Sequence, residues 1–292
     1  MRLLLLVILF LLSGFGARAA EQLRRESLRG CIGTYGRPTR MTNGVADVPK
    51  LLGELEDIRA NTFHWAIHAS SNEWNEIKTF LPLANKKNIK VWITVMPPSE
   101  SPPILKLYSE PFRLDYERWA TEIAKLSLQE TNLVAWSIDD FTHNLKTFTP
   151  EYLAKMMTAA HDVNPRLAFV PCCYYKAITP TFAKNYAPLL DAVLFPYRDE
   201  SSGGNLKNPD HVESEIKKLR ETLGSKMPIV LDVYASAHSR LGATTADYVE
   251  KAVGDGLRVA DGVIIYTHRI LETEPAKHQV IKQLFHKAST KK

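Results

Sequence analysis

Between residues 31 and 287 the chain alternates strand-like and helix-like patterns eight times, and this alternation limits its possible folds more than any other feature. Residues 31–35, 62–69, 89–96, 133–141, 166–174, 192–197, 228–234 and 262–266 are short apolar runs rich in β-branched and aromatic residues, as strands are. Apolar residues at helical spacing follow each run, over 46–60, 72–87, 114–130, 149–163, 179–189, 209–223, 245–258 and 276–287. Thr149-Pro150, Thr179-Pro180 and Asn208-Pro209 are cap-then-proline helix starts, and Ser71 or Asn72 caps the second helix. Eight consecutive βα units with no shift of composition predict an α/β chain folded as a closed (β/α)8, or TIM, barrel. The competing open, doubly wound sheet would carry a Gly-rich phosphate turn after its first strand. Gly33-Thr34-Tyr35-Gly36 does not match that turn.

The residues before this pattern read as a leader. Met1-Arg2 is a basic start, Leu3–Phe15 an apolar run broken by Ser13 and Gly14, and Ala17-Arg18-Ala19 a small-residue cleavage site. The run is short for a membrane span, and no second run of spanning length follows. The domains expected are therefore a signal peptide over 1–19 and a single barrel over 20–292, secreted or periplasmic, soluble and monomeric. Cleavage leaves 292 minus 19, or 273, residues, enough for one large core. It removes Arg2 and Arg18 and no acid, so the formal charge falls from +5 to +3. That mild balance, with no Lys/Arg-rich run, argues against a nucleic-acid partner. Cys31, Cys172 and Cys173 are an odd number for an exported chain, and they sit in apolar strand patterns that suit buried thiols.

In such a barrel, function sits at the C-terminal ends of the strands. Those ends here are polar or aromatic. Strand one ends in Tyr35 and Arg37, strand two in His68 with His64 on the same face, and strand three offers Trp92, Thr94 and Met96. Strand four, Leu133-Val134-Ala135-Trp136-Ser137-Ile138-Asp139-Asp140-Phe141, ends in two adjacent acids. Strand five gives Tyr174 and Tyr175, strand six Tyr197, Arg198 and Asp199, strand seven Asp232 and Tyr234, and strand eight Tyr266 and His268. A buried strand gains nothing from ending in Asp-Asp unless the acids meet solvent, a metal or a substrate. Ala135, Ser137 and Asp139 share the face that points into the barrel, and Val134, Trp136 and Ile138 the face that packs under helices.

A rim of this kind suits a hydroxyl-rich ring. Aromatic faces stack on the sugar, while carboxylates, His and Arg bind its hydroxyls. The substrate-binding set predicted is Tyr35, His68, Trp92, Tyr174, Tyr197, Arg198, Tyr234, Tyr266 and His268. Carboxylates at two strand ends also suit glycoside hydrolysis, one protonating the leaving oxygen and the other attacking or activating water. Asp140 is the expected general acid, Asp139 its electrostatic partner and Asp232 the base or nucleophile. The two strand-four roles are exchangeable, since strand parity at the rim is not fixed by sequence. No cofactor or metal is expected in this scheme.

On these residues the chain resembles the secreted (β/α)8 glycoside hydrolases. Trp136–Phe141 matches the strand-four position where many keep the acid/base, and Leu231-Asp232-Val233-Tyr234 the strand-seven position of their nucleophile. The common pattern has Asn-Glu and Glu at these places, whereas this chain has Asp-Asp and Asp. Phe195-Pro196-Tyr197-Arg198-Asp199 is similar to the strand-six element of chitinase-like barrels. The resemblance implies a poly- or oligosaccharide substrate. Two alternatives are a non-catalytic carbohydrate-binding barrel and a metal-dependent polysaccharide hydrolase or deacetylase. His64 and His68 lie roughly 13 Å apart at ~3.3 Å per strand residue, too far for one ion. A metal would therefore need His68, His268 and the strand-four acids to converge from different strands.

Overall fold

The structure is a computed structural model that describes residue 16 and residues 18–290, so the predicted leader lies almost wholly outside the described residues. The elements follow in strict alternation: β1 (Cys31–Gly36), α1 (Val48–Asp57), β2 (Thr62–Ile67), α2 (Glu73–Asn85), β3 (Lys90–Val95), α3 (Tyr116–Gln129), β4 (Leu133–Ile138) and α4 (Pro150–His161) come first. Then come β5 (Ala168–Phe169), α5 (Pro180–Tyr186), β6 (Val193–Tyr197), α6 (Val212–Leu223), β7 (Ile229–Tyr234), α7 (Ala246–Val259), β8 (Gly262–Tyr266) and α8 (Pro275–Ser289). Thr149, Thr179 and Thr245 cap α4, α5 and α7 by accepting from Tyr152, Phe182 and Tyr248 N–H. Asn72 stands at the start of α2 without a capping bond. The Asn208-Pro209 pair does not open α6, which begins at Val212.

All eight strands form one parallel sheet in the order β5-β4-β3-β2-β1-β8-β7-β6. The strands at its two ends, β5 and β6, meet through an isolated parallel bridge between Cys172 and Leu194. There Cys173 N–H donates to Leu194 O at 2.8 Å, and Leu194 N–H donates to Pro171 O at 3.0 Å. The full ladder that a closed barrel would carry is absent at this seam. The predicted strand over 166–174 is cut to two residues, and Pro171, lacking an N–H, stands where that ladder would continue.

The alternation of each strand separates two cores. Phe63, Trp65, Ile93, Trp136, Phe169, Phe195 and Leu231 face outward under the helices. Tyr35, Ala66, Trp92, Ala135, Val170, Leu194 and Ile264 fill the interior. Strand four keeps the predicted faces at Ala135, Trp136 and Ile138, but Val134, expected on the helix-facing side, packs against the interior cluster, because the register with β3 shifts between Leu133 and Ala135. Helical residues 18–28 add Leu28 to the interior cluster and are tied to the barrel by Arg24 Nε on Asp191 Oδ1 at 2.6 Å. Gly33 is required by the close approach of β2, because a Cβ there would lie 1.7 Å from the Thr62 carbonyl oxygen. Among the described residues, no helix is long and apolar enough to cross a membrane.

Candidate active site

The end of β4 sends its two acids in different directions. Asp139 N–H donates to Val95 O at 3.1 Å and so extends the pairing with β3, which keeps its side chain on the inward face. Asp140 has φ 42°, a left-handed conformation that Asp tolerates better than most residues, and this turns the chain into the 3-10 segment Phe141–Asn144. The Asp140 carboxylate consequently faces sideways. It accepts a short hydrogen bond from the Tyr174 hydroxyl and lies 3.4 Å from His143 Nδ1. The His143 and Tyr174 rings stack at 4.3 Å, and the Arg198 guanidinium covers Tyr174 at 3.8 Å.

These surroundings push the two acids apart. Burial, then the neighbouring Asp140 charge, raises Asp139 to about 7, with Tyr35 opposing. Burial also disfavours the Asp140 anion, but the bonds from His143 and Tyr174 outweigh it and hold that carboxyl below its ordinary value. Of the two, Asp139 therefore keeps a proton near neutrality.

Asp139 opens into a cavity of about 390 Å³ at the C-terminal ends of β1, β2, β3 and β8. Tyr35, His68, Glu100, Tyr266 and His268 line it as well. Tyr35 lies 5.3 Å from Tyr266, and on its other side it stacks on His64 at 4.3 Å. Burial, then the Arg37 charge, lowers His68 to about 4, so its ring is neutral. Both ring nitrogens of His268 are engaged, Nδ1 with Thr34 Oγ1 at 2.8 Å and Nε2 with Glu54 Oε2 at 3.0 Å. This chain fixes the loop after β8.

Glu100, in the short turn after β3, is a site residue that sequence reasoning missed. Its side chain forms no hydrogen bond or ion pair among the described residues. Burial, then Asp140, raises its carboxyl above the ordinary value. No motif surrounds Glu100, and only the C-terminal position of its loop carried a signal.

The other predicted residues separate into layers. Asp232 points inward from β7 but is 2% exposed and does not line the cavity, and its Oδ1 has no hydrogen-bond partner among the described residues. Burial, then Asp139, pushes its carboxyl well up. Trp92 is fully buried in the interior, below the cavity. Tyr234 packs against Tyr266 at 5.1 Å, outside the cavity lining. Tyr174 and Arg198 form the lateral support of Asp140, and Arg198 Nε also holds Glu200 Oε1 at 3.0 Å.

Tyr197 corrects the expectation of a sugar contact. Its ring faces the helices, stacked on Tyr248 at 6.3 Å, and its hydroxyl donates to Asn208 O at 2.8 Å and accepts from His211 N–H at 3.2 Å. The reason is parity, since Leu194 takes the inward face of β6 and Phe195 and Tyr197 the outward one. Tyr197→Phe is expected to cost ~0.5–1.5 kcal/mol in urea unfolding and to leave sugar affinity unchanged. A loss of affinity at constant stability would return Tyr197 to the site.

The convergence of His68, His268 and the strand-four acids that the alternative metal-hydrolase reading needs is not found among the described residues. The group of possible ligands among the described residues is Asp139, Asp140 and Cys172, whose ligand atoms lie within 4.8 Å of one another. Cys172 and Cys173 are buried free thiols, and Cys31 is buried as well.

Solved structures with a similar fold include glycoside hydrolases. A glucosidase from Croceicoccus marinus superposes with a TM-score of 0.61 at 14% identity, covering 89% of this chain and 68% of that one. Active domain 2 of a thermostable chitinase from Pyrococcus furiosus gives 0.56 at 12%, covering 89% and 95%. β-Glucuronidase 2 of Bacteroides uniformis gives 0.58 at 11%, covering 82% of this chain but 30% of its own length. At these identities the likeness is one of fold. No protein-family model matches the sequence, and no curated protein matches it.

Proposed function

We propose that the chain is an exported hydrolase of glycosidic bonds, acting on an oligo- or polysaccharide in the cavity at the strand ends, within a barrel that functions as closed. The observation that carries this is Asp139, a carboxyl at the end of β4 that opens into a cavity and is held near 7 by burial and by Asp140. A general acid works best with a pKa near the operating pH. Asp139 is thus the proton donor to the leaving oxygen and Asp140 its electrostatic partner, the exchange of roles that the sequence left open. Glu100 is the second carboxylate on the cavity and the base or nucleophile, since Glu272, also on the lining, is engaged by Lys50. Asp232 lies beneath the cavity and does not take the base or nucleophile role expected of it. Tyr266 offers a ring face to the sugar, Tyr35 forms the wall behind it, and His68 is a neutral hydrogen-bonding group.

The experiment is hydrolysis of a panel of gluco-, glucurono- and chito-oligosaccharides by the purified mature chain, read as released reducing ends. Turnover on at least one class is expected, with loss in Glu100→Gln. Tight binding of an oligosaccharide with no turnover on any class would make the protein a carbohydrate-binding barrel.

A further inference from the structure

Three carboxyl groups and a thiol crowd the interior beside the cavity with little positive charge to balance them. Asp139, Asp140 and Cys172 bring one ligand atom each within 4.8 Å of the others. Cys172 projects inward from the segment after β5, and its thiol feels the charges of Asp139, Asp140 and Asp232. A separate observation points to a missing occupant. Asp232 Oδ1, almost wholly buried and on the inward face of β7, has no partner among the described residues. An orphaned buried carboxylate oxygen is costly unless something meets it. Asp139 and Asp232 have no ion-pair partner among the described residues. Nearby, His143 Nδ1 lies 3.4 Å from Asp140, and the Arg198 guanidinium is engaged with Glu200.

We propose that Asp139, Asp140 and Cys172 bind a thiophilic divalent cation of the zinc class, whose charge the buried Asp232 beside them balances. The donor set selects the ion. One thiolate with carboxylate oxygens suits Zn²⁺ or Cd²⁺, whereas Mg²⁺ and Ca²⁺ take oxygen alone. On binding, the cation accepts lone pairs from the Cys172 sulfur and the carboxylate oxygens, and the thiol and carboxyl protons leave to solvent. The route in is the cavity that Asp139 lines. Resting on the hydrolase proposal above, occupation also stops hydrolysis, because the ion takes the place of the proton that Asp139 donates.

The test is titration of the reduced, chelator-treated full chain with Cd²⁺ and Zn²⁺. The expected result is one ion per chain, with the ultraviolet charge-transfer band of a Cd²⁺–thiolate bond. Cys172→Ser should lose the band and bind Zn²⁺ more than ~10-fold more weakly, while hydrolysing as the wild type does and escaping inhibition by Zn²⁺. Cys172→Ala is the second variant should the serine not fold, and Cys173→Ser should keep the band. No stoichiometric binding, binding without the band, or equal affinity in both Cys172 variants would overturn the site. Cd²⁺ bound with the band in a chain that hydrolyses nothing would support the site and sink the hydrolase proposal. Full turnover at saturating Cd²⁺ would support the site and overturn the inhibition.

Discussion

Asp139→Asn is expected to leave a folded barrel whose turnover is lower by ~10²–10⁴-fold, the range for loss of positioned acid–base catalysis. The amide keeps the shape of the carboxyl and has no proton of suitable acidity to give to a leaving oxygen. The pH profile provides an independent reading. The acid must be protonated, so kcat/KM should be high below Asp139's value of about 7 and fall as pH rises through it. Asp140→Asn should have a different signature. Removing the neighbouring charge, the second cause of the Asp139 shift after burial, lowers the Asp139 value, so the alkaline limb moves to lower pH. Turnover measured from acid to alkaline pH in the three proteins decides the matter. Equal activity of Asp139→Asn and wild type would remove the mechanism, and an unmoved limb in Asp140→Asn would remove the proposed electrostatic role.

The exchange of roles between these two acids shows where sequence stops. The parity of β4 was legible, because Ala135 and Ser137 are small and Trp136 and Ile138 large, and it placed Asp139 on the inward face. What followed was not legible. Asp140 takes a left-handed backbone and swings toward Tyr174 and His143, a contact between loops after two different strands. The same parity argument applied to β6 would have turned Tyr197 outward, since Phe195 and Tyr197 alternate with Leu194 and Pro196. Its position at a strand end outweighed that pattern in the sequence argument. The eight βα units were legible from periodicity. The weak β5–β6 seam had a visible cause in Pro171, a residue without the N–H that a central strand must donate. Glu100 was hidden because loops carry no period and its closeness to Asp139 is made by the fold alone. Asp232, read from the sequence as a carboxylate at the end of strand seven, lies deeper than that, among interior residues such as Trp92 and Tyr35, and no pattern along the chain records this depth.

Arg40→Met is expected to destabilise the fold by ~3–5 kcal/mol at neutral pH, the usual cost of leaving one member of a buried ion pair uncompensated. Arg40 follows β1 and lines the cavity. Its Nη2 meets Glu73 Oε1 at 2.6 Å, and its Nη1 meets Glu76 Oε2 at 3.0 Å and donates to Gly44 O at 2.7 Å. Glu73 is fully buried and also accepts the Ala69 N–H at 2.8 Å, with the Ser70 backbone beside it. Burial already raises its carboxyl above the ordinary value, with the Ala69 bond and then Arg40 holding it back. Without the guanidinium it rises further. An acid whose folded pKa exceeds its unfolded one binds protons more tightly when folded, so stability grows as pH falls between the two values. The deficit of Arg40→Met should therefore be largest at neutral pH and above, and shrink as pH falls through the raised Glu73 value. Urea unfolding at pH 8 and pH 5 measures this, and Arg40→Met with Glu73→Gln should recover much of the loss. A deficit below ~1 kcal/mol, or one equal at both pH values, would mean that water compensates Glu73. Because the same guanidinium braces the loop that forms one wall of the cavity, the single variant should weaken oligosaccharide binding as it loses stability. The double variant should regain stability before affinity.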